Sequence, residues 1–218
     1  GVPSPEYIYQ YIYSDKKSAG DLHKHLRCQK KYRKRYQSGR NRRGQIKNRI
    51  DIDQRCEAAN NRERIGDIEG DTVIGKDHKG VLVTLVDRLT REVKIKALPN
   101  RKADLVTETC INELKNEADL HTITFDNGKE FAGHETMMKA LGVIVHFAKP
   151  YRSYERGSNE NMNKLIRQFL PKHMRLDNIT DEEIELIISD LNNRPRKVLG
   201  YLTPLEVKSR NGCVALQS

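Results

Sequence analysis

Residues 66–75 of the 218-residue chain read GDIEGDTVIG. Ile68, Thr72, Val73 and Ile74 give this run the β-branched texture of a strand, and Gly75 begins a break. Two runs of the same kind follow, Val81–Asp87 and Glu92–Leu98, parted by Gly75 to Gly80 and by Arg88 to Arg91. That spacing predicts an antiparallel three-strand meander. Beyond it the period changes. A helix is expected over Leu105–Glu117, with Asp104 as N-cap and Leu105, Val106, Ile111 and Leu114 turned inward. Thr122–Phe125 reads as a fourth strand, His134–Leu141 as a helix stopped by Gly142, and Val143–Phe147 as a fifth strand. After the loop Ala148–Gly157, a helix starting near Ser158 repeats Met162, Leu165, Ile166 and Phe169 toward a core. Thr180 to Glu183 forms a capping box that opens another helix, and Thr203-Pro204 opens a last short one. This order predicts an α/β fold built on a mixed five-stranded sheet flanked by helices.

The opening stretch also holds the first of three acids. Asp71 is followed by Asp126, at the end of the apolar run in ITFDNGKEF, and by Glu160, at the start of the amphipathic helix in YERGSNENMNK. The 33 residues between Asp126 and Glu160 leave room for a short helix, a strand and a loop, which can return both carboxylates to one face. Carboxylate oxygens are hard ligands that suit Mg²⁺. Each acid also has a plainer role open to it. Asp67 lies four residues from Asp71 on the same side of the strand and competes with it, but reads better as a strand-start or surface residue. Asp126 is of the type that caps an Asn-Gly turn. Glu160 can serve as an i,i+4 partner of Lys164, worth about 0.3–0.5 kcal/mol. Taken together and in this order, the three read as a two-metal phosphoryl-transfer site, one ion activating water or a DNA 3′-hydroxyl and the other stabilising the leaving oxygen. Lys164 and Arg167 share the glutamate's helix face, where they reach phosphates, and Arg152 and Arg156 in the preceding loop close over the same substrate. Glu69, Asp77, Glu130 and His134 read as bystanders, His134 being the one that can lie near the site.

Charge is distributed unevenly. The first 65 residues hold 17 Lys and Arg against 7 Asp and Glu, whereas the remainder holds 23 of each, so the whole net charge of +10 lies in the first third. Between His23 and Ile50 there are 12 basic residues and no acid, with Tyr32 and Tyr36 interleaved in KKYRKRYQSGRNRRGQIKNR. Lys30, Lys31, Arg33, Lys34, Arg35, Arg42 and Arg43 are the candidate phosphate contacts, and nucleic acid is the natural partner. A solubilising or membrane-surface segment is the plainer alternative. With Gly39 and Gly44 among charges and almost no apolar residue, the second half of this run cannot bury a core and is expected to be an extended linker. Ahead of it, Tyr7, Ile8, Tyr11 and Ile12 in SPEYIYQYIY stand at helical spacing. The expected organisation is a basic arm over 1–64, a core over 65–210 and a tail over 211–218. Cys28, Cys56, Cys110 and Cys213 show no C-x-x-C spacing and no secretory segment precedes them, so reduced intracellular thiols are expected. His23, His25 and Cys28 lack the second close ligand pair that a structural zinc site needs. No run approaches the roughly 20 apolar residues of a membrane span. The start, Gly1-Val2-Pro3, reads as processed or engineered with an upstream region missing.

Four strings, EGDTVIG, FDNGKEFAGH, RGSNENMNKLIRQF and LNNRPRKVLGYLTP, in this order and with this triad spacing, resemble bacterial insertion-sequence transposases of the IS-thirty family, a branch of the DDE transposase and retroviral-integrase superfamily. The resemblance covers residues 65–208 closely and the basic arm more loosely. It implies an RNase H-like domain with Asp71, Asp126 and Glu160 as the catalytic, metal-holding triad and Arg167 as the family's basic residue seven positions after the glutamate. It also implies two Mg²⁺ ions, replaceable by Mn²⁺, and double-stranded DNA as partner, both as terminal inverted repeats and as target. The activity implied is cleavage by water at the element's end followed by attack of the freed 3′-hydroxyl on a target phosphodiester. A homodimer or higher oligomer in a synaptic complex and a bacterial cytoplasmic, nucleoid-associated location go with it. Family members carry Trp where this chain has Ile68, which bears on the packing behind the first strand, and a helix-turn-helix region inside or after which this chain begins. Another RNase H-like nuclease and a catalytically silent, transposase-derived DNA-binding protein are the rival readings.

Overall fold

The computed structural model describes residues 3–25, 46–149 and 157–215. Contacts divide the chain into a unit over 1–43 and a unit over 44–218. In the first, helix α1 (Pro5–Lys17) opens with the Ser4 hydroxyl accepting the Tyr7 N–H at 3.2 Å and with Pro5 in its first turn, and a 3₁₀ turn follows at Leu22–His25.

The second unit is built on six strands: β1 (Ile50–Asp51), β2 (Asp67–Ile74), β3 (Val81–Asp87), β4 (Val93–Leu98), β5 (Thr122–Phe125) and β6 (Ile144–Phe147). Their order across the sheet is β1-β6-β5-β2-β3-β4. β2, β3 and β4 form the expected antiparallel meander, and β5 returns parallel to β2 with β6 parallel to β5. The five strands expected from sequence are all present, and the sixth is β1, which pairs parallel to β6. Two residues carry no periodicity, so only the partner strand makes β1 a strand. Residues 46–64, read with the arm from their charge, lie in this unit, where a 3₁₀ turn at Ile52–Gln54 and helix α2 (Glu57–Asn61) bury Ile52 and Ala59.

Helices α3 (Ala103–Leu114) and α4 (His134–Leu141) pack on one side of the sheet, and α5 (Gly157–Phe169) and α6 (Asp181–Asn192) on the other. Helix α7 (Pro204–Ala215) follows. α3 begins two residues earlier than expected, with Lys102 at the cap position and Asp104 in the first turn, where its charge still favours the helix N-terminus. The Thr180 and Glu183 capping box is present, each side chain bonding the other's backbone N–H.

Strand alternation gives the sheet two different sides. Ile68, Val83, Leu85, Ile123, Phe125, Val145 and Phe147 pack against Val106, Cys110, Leu114 and Met137. On the far side Val73, Leu82, Val86 and Ile95 meet Met162, Ile166, Ile184 and Leu191. Each fully buried side chain of this size contributes roughly 1.5–3 kcal/mol, so both layers are needed. Ile68 is buried among the first set, and a small cavity of about 20 Å³ adjoins it. At the β4 edge the Asn192 side chain accepts the Val93 N–H and donates to the Val93 carbonyl, both at 2.9 Å.

Candidate active site

β2 presents Asp67, Glu69, Asp71 and Val73 to the α5 side, because residues two apart share a face. The parallel register pairs Ile68 with Ile123 and Glu69 with Thr124. β5 ends at Phe125 with Asp126 directly after it, and Asp71 lies within β2, the strand parallel to β5. Gly70 makes room for the Phe125 ring, since a Cβ there would lie 2.1 Å from it.

The Asp71 carboxylate is fixed from two directions. Its own strand supplies the Thr72 N–H at 2.9 Å, and α5 supplies the Asn163 side-chain N–H, also at 2.9 Å. Asp126 accepts the Gly128 N–H at 2.8 Å, the turn-capping role open to it from sequence. Glu130, read as a bystander, takes the Thr72 hydroxyl at 3.0 Å. Glu160 stands on the outer flank of α5 with its side chain 57% exposed and 3.0 Å from the Lys164 ammonium. An open groove of about 720 Å³ runs between the end of β2 and α5 and is lined by Asp71, Asn159, Glu160, Lys164, Arg167 and Lys172 among others. The described lining does not include Asp126. Among the described residues, no three His, Cys, Asp or Glu side chains converge as a ligand set.

Arg167 lines the groove but also has structural bonds. Its guanidinium donates to the Ile74 carbonyl at 2.8 Å and to the Leu170 carbonyl at 3.3 Å, tying the end of β2 to the end of α5, and desolvation holds its pKa below the ordinary arginine value. Met162 and Ile166 are buried as expected, with Leu165 and Phe169 partly so. Arg152 and Arg156, and the arm residues Lys30, Lys31, Arg33, Lys34, Arg35, Arg42 and Arg43, lie outside the described residues.

Behind Asp71 the same strand face is closed by a buried polar network. Asp67, expected as a strand-start or surface residue, does start β2 but is fully buried: it receives Arg64 at 2.9 and 3.2 Å and the Thr122 hydroxyl at 2.7 Å. Glu69, expected as a bystander, is fully buried in an ion pair with Arg88 and accepts the Asn159 N–H at 3.1 Å. Arg55 reaches Thr124 at 3.1 Å; burial and the nearby Arg88 guanidinium pull its pKa down to about 10. Arg91 donates to the Ser158 hydroxyl, and burial, with Arg62 beside it, brings its pKa to about 10 as well. The signal for this network was the D-x-E-x-D alternation itself. Three acids on one buried strand face require cations, and the flanking segments supply Arg55, Arg64, Arg88 and Arg91.

No protein-family model matches the chain. The fold is that of a retroviral integrase catalytic core: the catalytic core domain of BIV integrase superposes with a TM-score of 0.55 at 21% identity, covering 69% of this chain and 98% of that one. The RNase H-like class expected from sequence is thus the class observed. By sequence the chain is a homologue of the insertion-sequence transposases. It is 48% identical over 205 residues to the transposase for insertion sequence element IS4351 of Bacteroides fragilis, covering 93% of this chain and 63% of that protein. It is 36% identical over 216 residues to transposase InsI for insertion sequence element IS30A of Escherichia coli K12, covering 95% of this chain and 56% of that protein. The chain therefore spans about three-fifths of the length of the curated relatives it matches. Among the described residues, no helix is long and apolar enough to cross a membrane.

Proposed function

We propose that the 44–218 unit is the catalytic core of a DDE transposase, which cleaves DNA at the ends of an insertion sequence and joins the freed 3′-hydroxyl to target DNA. The observation that supports this reading is the groove shared by Asp71 of β2 and Glu160 of α5, with Asp126 following directly on β5, the parallel neighbour of β2. The donor set is all carboxylate oxygen and suits a hard dication, and Glu160, though turned to Lys164, is exposed and attached to nothing that fixes it more firmly than an i,i+4 pair. Two Mg²⁺ ions, or Mn²⁺, held by Asp71, Asp126 and Glu160 would supply charge stabilisation for in-line displacement at phosphorus. The protein's own share is positioning. Asn163 orients Asp71, and Lys164, Arg167 and Lys172 give the groove a positive wall for the phosphate backbone. Arg152, Arg156 and the arm residues Lys30, Lys31, Arg33, Lys34, Arg35, Arg42 and Arg43 are further phosphate contacts in this reading, which includes a homodimer or higher assembly acting in the bacterial cytoplasm at the nucleoid.

The Lys164 pair favours a second reading, a silent DNA-binding descendant in which Glu160 never turns inward. One assay separates the two. Oligonucleotides bearing the element's own ends are incubated with the wild type and with Asp126→Asn, in Mg²⁺ and in Ca²⁺. The expected result is cleavage and strand transfer by the wild type in Mg²⁺ only, with loss of at least about a hundredfold in the variant and DNA binding retained. Equal product from both proteins ends the catalytic assignment of Asp126, and no product from either supports the silent reading.

A further inference from the structure

We propose that the buried Glu69–Arg88 pair is a positioning device that sets the start of α5, and through it Glu160, against the strand that carries Asp71. The inference rests on the reading of Glu160 as a metal-holding acid. Glu69 lies two residues before Asp71 on the same strand face and is fully buried. Its two oxygens have different partners: Oε1 meets Nη1 of Arg88, and Oε2 accepts the backbone N–H of Asn159, the residue before Glu160. Asn159 is in the first turn of α5, where backbone N–H groups have no partner within the helix and where a negative charge is favoured. Its own side chain does not hold the helix, because both amide atoms are buried without a hydrogen bond. Arg91 fixes the adjacent Ser158 hydroxyl from the same loop that carries Arg88.

Arg88 uses its remaining donors on α2, giving Nε to the Ala59 carbonyl at 2.8 Å and Nη2 to the Asn60 carbonyl at 3.3 Å. The guanidinium therefore joins the Asp71 strand to α2, and the Glu69 carboxylate it holds joins that strand to the Glu160 helix. A buried ion pair is seldom more stable than apolar side chains of the same volume. Apolar residues would fill the space but could not direct a helix N–H. The arrangement is thus better explained by geometry than by stability.

The test uses the full chain in three forms, wild type, Glu69→Gln and the charge-free Glu69→Leu/Arg88→Met, with Mn²⁺ as the probe. Amide hydrogen exchange is followed at Asn159, Mn²⁺ binding is titrated without DNA, and cleavage is measured against Mn²⁺ concentration. In the double variant we expect exchange at Asn159 to be at least about tenfold faster and half-saturating Mn²⁺ to rise about tenfold, the loss typical of groups that orient metal ligands, with the DNA KM unchanged. Glu69→Gln, whose amide oxygen still accepts, is expected to fall between the two. If Glu69→Gln does not fold, the double variant decides. Unchanged exchange at Asn159 and an unchanged Mn²⁺ requirement, with only a lower melting temperature, overturn the proposal and leave the pair a packing element. A Glu160→Gln control that binds Mn²⁺ like the wild type overturns the metal reading instead, while exchange at Asn159 still reports on the clamp.

Discussion

The two sides of β2 and β5 are made by the same strands and do opposite things. Toward α3 and α4 they offer Ile68, Ile123 and Phe125, and the contacts there are apolar. Toward α5 they offer Asp67, Glu69, Asp71, Thr122 and Thr124, whose contacts are hydrogen bonds and ion pairs, and beyond them Val73, which packs in the apolar layer. The difference teaches that a strand of eight residues can separate its duties by parity alone. From Asp67 to Asp71 the even-numbered positions of β2 face the apolar layer and the odd-numbered ones carry the acids, while Val73 returns the odd face to apolar packing. The network behind Asp71 also keeps the carboxylates of Asp67 and Glu69 occupied by arginine, so that the first acid of the strand left facing the groove is Asp71.

The comparison is broken most severely at Arg88. Arg88→Ala leaves Glu69 buried without its cation, and stability measured by urea unfolding is expected to fall by about 3–5 kcal/mol. Glu69→Leu/Arg88→Met should recover most of that loss, because it removes both charges together; a double variant as unstable as Arg88→Ala would show that the polar side is needed for stability after all. Gly70→Ala probes the apolar side beneath Asp71. Its Cβ meets the Phe125 ring, so a loss of about 1–3 kcal/mol is expected, together with weaker Mn²⁺ binding as Asp126 shifts. A stable variant with wild-type metal binding would contradict the tight seat of the Phe125 ring on Gly70 and its link to Asp126.

Smaller effects sharpen the picture on α5. From sequence Arg167 reads as a phosphate contact whose removal should cost little stability. With its donors on the Ile74 and Leu170 carbonyls, Arg167→Ala is instead expected to cost about 1–2 kcal/mol, as well as weakening binding to pre-cut DNA ends. A melting curve run beside a binding assay on one preparation separates the two contributions, and a loss below about 0.5 kcal/mol would return Arg167 to the surface class. Lys164→Ala should change stability by no more than about 0.5 kcal/mol, an effect that vanishes at high salt, since the pair with Glu160 is exposed. A larger, salt-independent loss would mean that Lys164 anchors α5 in a way the pair does not explain.

The meander was legible because β-branched runs and glycine breaks are local signals, and so were the caps at Thr180 and Glu183 and the stop at Gly142. The i,i+4 pair of Glu160 and Lys164 could be read from spacing for the same reason. What escaped was everything whose cause lies far along the chain. β1 exists only because β6 is there, Arg88 reaches Glu69 across 19 positions, and Arg167 finds the Ile74 carbonyl 93 positions away. Asp67 could be read as the start of the strand, but its burial could not, because nothing in its neighbourhood announces that Thr122 will come to lie beside it. The triad's order was visible in the residues. Its present conformation, with Glu160 turned to Lys164, was not, since an exposed glutamate has several rotamers of nearly equal energy.

Asn192 closes the β4 edge by offering Val93 a side-chain amide in place of a neighbouring peptide. An open edge is an invitation to strand addition, in which a second molecule continues the ladder and the product grows without limit. Here an incoming strand would have to displace two hydrogen bonds at the first rung before forming its own. Polymerisation through a shared sheet is obstructed at that edge by one amide.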